Sequence, residues 1–188
     1  QVLAGVLDAS MPAMGAAAVA APVETALGLG TAVATQAGVT EAAKKLSEDG
    51  LMSAADATKA FKTALSSGYS IEEATRLLSG LKEQAVFNRQ AHYQLGDAVN
   101  ATIEGIKNEN SVLSDATGTT KNLSVIYKEY AATLGKGVQD LTTAEKRQAS
   151  YNGFLKETAL STGDLTKAQN TLSGQMAKTE SASKSAAT

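Results

Sequence analysis

The pattern of hydrophobic and polar positions changes near residue 39 of this 188-residue chain. Beyond it, apolar residues recur at steps of three and four, which places them on one face of a helix. Ser53-Ala-Ala-Asp56 and Ser70-Ile-Glu-Glu73, shortly after Gly50 and Gly68, have the form of helix starts. There a hydroxyl and an acid three residues later satisfy the N–H groups that a helix leaves free. The two starts belong to a short repeat, because Ser53–Lys59 aligns with Ser70–Arg76 at an offset of 17. One turn-plus-helix unit is used twice, which is too few copies for a solenoid.

The second unit continues as a stripe through Ile71, Ala74, Leu78, Leu81, Ala85, Asn88, His92, Leu95, Val99, Thr102 and Ile106. Two readings fit it. One is a coiled-coil-like helix whose polar Asn88, His92 and Thr102 set register between copies; the other is a bundle helix broken near Gly96 or Gly105. A further stripe, Leu123, Ile126, Tyr127, Tyr130 and Leu134, ends at Gly135 and Gly137. Thr142-Thr-Ala-Glu145 opens the next helix, with Gln148, Tyr151, Phe154, Leu155 and Ala159 on neighbouring faces. A last helix is expected from about Asp164, using Leu165, Ala168, Leu172 and Met176. Residues 177–188 carry no stripe and read as a linker, a solvated helix extension or a frayed end.

Residues 1–38 differ. Asp8 and Glu24 are their only charges, and Ala and Gly dominate. The uncharged runs 9–23 and 25–40 fall short of the roughly 18–20 apolar residues of a membrane span. The segment reads as tightly packed helix, with membrane insertion as the alternative. Three divisions follow: 1–38 apolar, 39–176 helical, 177–188 polar. The chain begins at Gln1 without Met or a basic leader, which reads as a piece of a longer protein with no signal peptide.

Composition sharpens the fold class. With no Trp, three Phe and five Tyr, much of the 43% hydrophobic content is alanine, so each helix has little area to bury. Few prolines and many helix formers predict an all-α fold: an elongated, coiled-coil-like helical bundle with short Gly/Ser/Asn/Thr turns, gaining stability from oligomerisation. A net charge of −2 without a basic-aromatic patch argues against sequence-specific nucleic-acid binding. Zero cysteines exclude disulfides, Cys-based zinc sites and thiol catalysis.

Candidate chemistry centres on Ser114-Asp-Ala-Thr-Gly-Thr-Thr-Lys121. It is similar to Asp-Lys-Thr-Gly-Thr, the sequence around the phosphorylated aspartate of cation-pumping ATPases. Those place the aspartate at a strand end in a doubly wound sheet. Here no strand–helix alternation follows, Ala116 replaces the lysine, and no later acidic cluster would hold magnesium. Asn108, Asn110 and Asp115 miss the spacing of a calcium loop. His92 is the only histidine, Glu72-Glu73 suits the first turn of a helix, and Gly28-Leu-Gly30 is no phosphate loop. No enzyme, cofactor or metal site is expected. Asp115 and Thr117 read as turn residues, with Gly118 at φ > 0 and Thr119 or Thr120 capping a helix from Lys121.

Two blocks, Phe87–Ser124 ("FNRQAHYQLGDAVNATIEGIKNENSVLSDATGTTKNLS") and Leu141–Glu157 ("LTTAEKRQASYNGFLKE"), resemble the conserved region of bacteriophage tail tape measure proteins. In the first, Phe87, Arg89, Gln90, Gly105, Asn108, Asn110, Ser111, Asp115, Lys121, Asn122 and Ser124 carry the likeness; in the second, Ala144–Ala149 and Asn152-Gly153 do. The resemblance implies a structural virion protein. Several copies, a homotrimer by family likeness, would lie in the tail tube lumen, set tail length and leave ahead of the DNA during ejection and host entry. The implied partners are tail tube and tail-tip or baseplate proteins, tail assembly chaperones and, after ejection, the host inner membrane. The alternative is a membrane-inserting, pore-forming translocation protein acting through residues 1–38. The excess of polar residues over what a capped turn needs predicts that Asn108–Ser124 meets another helix or another copy.

Overall fold

The computed structural model describes residues 36–161, 167 and 169–187. The expectations for residues 1–35, Leu165 and Ala168 lie outside them. The described residues are all-helical, with no strand. Eight α-helices follow in order: α1 (Gln36–Ser47), α2 (Ala54–Ser66), α3 (Ile71–Asn88), α4 (Leu95–Lys107), the single turn α5 (Ser111–Ser114), α6 (Leu123–Thr133), α7 (Thr143–Thr158) and α8 (Leu172–Ala186).

The repeated start motif works as its chemistry requires. Ser53 accepts the Asp56 N–H at 3.0 Å. Ser70 accepts the Glu73 N–H, and the Glu73 carboxylate accepts the Ser70 N–H at 2.8 Å, a complete reciprocal cap. Thr142 and Glu145 repeat that geometry at the start of α7. Each cap satisfies donors otherwise lost to the fold, worth about 1 kcal/mol.

Helix α3 occupies the centre, packed by α1, α2, α4, α7 and α8. Leu77, Leu78 and Leu81 are fully enclosed, each contributing roughly 1.5–3 kcal/mol by its burial. Around them the core is built of small residues. Among the described residues eleven of thirty buried hydrophobics are alanine, and Phe61 and Phe154 are the largest enclosed side chains. Small side chains let the helices approach closely. A Cβ at Gly153 would lie 2.5 Å from Ile126, and one at Gly80 2.5 Å from Thr158.

The stripe from Ile71 to Ile106 is two helices, not one. The chain bends at 89–94, just before Gly96, because Arg89 takes an extended ψ of 146° and its guanidinium donates to the Ala85 and Val86 carbonyls that end α3. Apart from half-buried Ile71, the apolar members of both halves are buried, and α3 and α4 pack on one another, whereas Asn88 and His92 fall at the break and are exposed. His92 lies against Tyr93, with ring centroids 4.2 Å apart.

The last helix also departs from expectation. Leu172 and Met176 are 78% and 53% exposed, and Gly174, Ala177 and Ser181 face inward instead. Small residues give α8 a flat face that fits over the loop before α2. Polar contacts complete the docking. Ser173 donates to the Val86 carbonyl, and Lys184 reaches Asp97 at 2.8 Å and Asp56 at 3.3 Å. Burial alone would lower the Lys184 pKa, but the Asp97 hydrogen bond and the two carboxylate charges outweigh it and raise it. The division expected at residue 176 thus falls inside α8.

One buried ion pair ties α1 to the centre. Lys82 of α3 donates to the Leu46 carbonyl at the end of α1 (2.6 Å) and to Asp49 (2.7 Å), with side chains only 6% and 13% exposed. Replacing Lys82 with Met strands the Asp49 carboxylate. It is expected to lower unfolding free energy by about 3–5 kcal/mol in urea titration, part of which Asp49→Asn in the same chain restores.

Candidate functional site

Within Ser114–Thr120, where chemistry was sought, the residues Ser114, Ala116, Thr117 and Thr119 are buried between helices, Asp115 and Gly118 are half-buried and Thr120 is exposed. Helix α5 starts with Asn110, whose Oδ1 accepts the Val112 and Leu113 N–H groups. Its single turn presses backbone-to-backbone against α4. A Cβ at Gly105 would overlap the Ser114 nitrogen, so glycine is what allows the approach. Beyond Asp115 the chain enters the space between α3, α4 and α7. Ala116 and Thr117 have no exposed surface.

The polar groups there are held from α3, α4, α7 and the bend after α3. The Thr117 N–H donates to Thr102 Oγ1 of α4 (3.2 Å), and Thr102 Oγ1 donates to Thr117 Oγ1 (3.3 Å). Gln84 of α3 donates to the Gly118 carbonyl (3.1 Å). The Gln90 N–H donates to the Ala116 carbonyl (3.1 Å), fixing the bend after α3. Glu157 of α7 accepts from the Thr120 N–H (3.2 Å) and from the Thr120 hydroxyl. Gly118 sits at φ +86° with its Cα against the Asn88 carbonyl, where any side chain would collide. The contact expected of Asn108–Ser124 is made within the chain, to α3, α4 and α7.

The turn chemistry differs from the sequence reading. Thr117 bonds Thr102 and not its own backbone; Thr120 is taken by Glu157, 37 residues away. The following helix therefore starts later, at Leu123, and Asn122 caps it by accepting the Val125 N–H (3.1 Å). Asp115 closes the turn through its backbone, its carbonyl accepting the Gly118 N–H (2.8 Å). Its carboxyl is half-buried; burial raises its pKa, and the Ser114 hydroxyl partly opposes that.

The remaining resemblance residues sit at or near the ends of several different helices. Phe87 is 46% exposed near the end of α3. Arg89 caps α3 and lies 4.0 Å from Glu180 of α8. Asn108 ends α4, Ser111 opens α5, and Ser124 donates to Asn122 (2.6 Å). Lys121 pairs with Glu129 at 2.6 Å. Among the described residues no group of acidic or histidine side chains has metal-site geometry.

Gln84 and Glu157 are junction residues absent from the sequence reading, and Thr102, expected to set register between copies, instead bonds Thr117 of the same chain. Thr102 carried a signal, a polar residue inside an apolar stripe; Gln84 and Glu157 carried none that spacing could reveal. Compared with known proteins, the chain matches no family model, no curated protein and no solved structure.

Gly118→Ala is expected to destabilise the chain by more than about 2 kcal/mol, through the positive φ and the Asn88 collision together. Asp115→Asn should leave the fold intact. The folded state holds the Asp115 proton more tightly than the unfolded state does. Its contribution is therefore greatest in acid and declines as pH rises through the raised pKa, and Asp115→Asn should remove that slope from stability measured against pH.

Proposed function

We propose that this chain is a segment of a phage tail tape measure protein, a structural virion component and not an enzyme. The observation that carries the reading is the pair of sequence blocks, Phe87–Ser124 and Leu141–Glu157, in order along one chain. The fold supports treating them as one unit. They meet through Thr120 and Glu157 and through Glu109 and Lys146, whose ion pair spans 2.8 Å. An all-helical, alanine-rich segment also suits a role in which many residues must fit a narrow tube.

On this reading several copies, as a trimer, lie in the tail tube lumen, bind tube and tip proteins and leave ahead of the DNA. A helix advances about 1.5 Å per residue, so chain length converts to tail length nearly linearly. On this reading the turns between the described helices suit a folded module, such as an end of the ruler, better than its extended part. In-frame deletions from the helical repeats of the full gene should shorten tails by about 1.5 Å per residue removed, as seen by electron microscopy. Unchanged tails would sink the ruler role.

The near absence of charge in residues 1–38 favours a second reading, membrane insertion. Among the described residues no helix is long and apolar enough to cross a membrane. Dye release from lipid vesicles by residues 1–40 tests it; neither binding nor release would remove it.

A further inference from the structure

Apart from the buried junction, four elements enclose an open cleft of about 270 Å³. Ser66 and Ser67 at the end of α2, Ile106 and Lys107 at the end of α4, Tyr127 of α6, and the first turns of α7 form its walls. The α7 residues Thr143, Lys146, Arg147 and Ser150 recur at helical spacing, so both cations face the opening.

The cleft holds more positive charge than it answers. Lys146 is paired with Glu109 (2.8 Å) and lies 5.8 Å from the Tyr127 ring centre. Among the described residues Lys107 donates only to the Ser66 hydroxyl, at 3.0 Å. Arg147 has no hydrogen-bond or ion-pair partner for its guanidinium among the described residues. It rests on Gly68, where a Cβ would lie 2.5 Å from Nη1, and its backbone carbonyl accepts from the Tyr69 hydroxyl (3.3 Å). The carbonyl ends of α2 and α4 draw cations here, but each amounts to about half a charge. Lys107, Lys146 and Arg147 against Glu109 leave two formal charges, more than the two helix ends neutralise. Tyr69 and Tyr127 are only 3% and 6% exposed, so their rings offer no face for stacking a base.

We propose that this cleft is a binding site for an oxyanion of the phosphate type, gripped by the Arg147 fork with Lys107 at its side. A guanidinium presents two parallel N–H donors that match two oxygens of one phosphoryl group, and Lys107 reaches a third. Glu109 competes for Lys146 and sets the affinity. Recognition stops at the phosphoryl group, so inorganic phosphate and a nucleoside monophosphate bind alike. This site stands independently of the tape-measure reading.

The test is a titration of the full chain with inorganic phosphate at low ionic strength, followed by backbone amide NMR. Saturable shifts are expected at residues 66–69 and 146–150. Arg147→Gln should weaken binding by about tenfold or more, and Arg147→Lys, which keeps the charge but loses the fork, by nearly as much. Glu109→Gln should tighten it, which no general loss of folding would produce. Unfolding midpoints show whether each variant folds. Absence of saturation, equal binding by Arg147→Gln, weaker binding by Glu109→Gln, or equal binding of succinate would each overturn the proposal.

Discussion

The passage of Ser114–Thr120 between α3, α4 and α7 is the constraint on which the rest of the fold depends. Three helices surrender a side chain to it: Gln84, Thr102 and Glu157. The backbone of that stretch would otherwise be an irregular segment buried without partners, at a cost of about 1–3 kcal/mol for each unmet group. Because the groups are met from three directions, the turn fixes the spacing of its neighbours as well as its own path. Gly118 makes the closest approach, its backbone lying where an added Cβ would strike the Asn88 carbonyl. Helix α3 can therefore sit at the centre without a thick aromatic core around it.

Charge plays a separate part at the periphery. The pairs Lys121–Glu129, Lys136–Glu145 and Lys146–Glu109 lie at the surface and contribute little stability individually. Lys82–Asp49 is enclosed and satisfies a helix-end carbonyl as well, so it belongs with the junction in kind. Lys184 is intermediate, joining α8 to both α2 and α4. Of the cations in the α7 cleft, Lys146 is answered by Glu109, whereas the Arg147 guanidinium has no such partner among the described residues.

What the sequence disclosed follows from how local each interaction is. The starts at Ser53, Ser70 and Thr142 were legible because cap and acid sit three residues apart. The cap at Asn122 was not, since Thr120 looked equally suited until Glu157 claimed it from α7. The 71–106 stripe concealed a bend because two antagonistic facts share one pattern: both helices bury the same kind of face, and the break falls between matching turns. Asn88 and His92 were the visible trace of it. On α8 the apolar residues misled, because contact there is made by Gly174, Ala177 and Ser181. The cleft at Arg147 was invisible, being assembled from four elements that no spacing connects.

A core with so much alanine responds to mutation in reverse. In most proteins truncation of large residues maps the interior, since each lost methylene leaves a void. Here Ala57, Ala60, Ala64, Ala74, Ala85 and Ala98 are already truncated and completely enclosed. Alanine scanning is silent at those positions, while adding even one methyl group forces helices apart. Sequence drift in this chain is limited less by what its core can lose than by what its closely spaced backbones can admit.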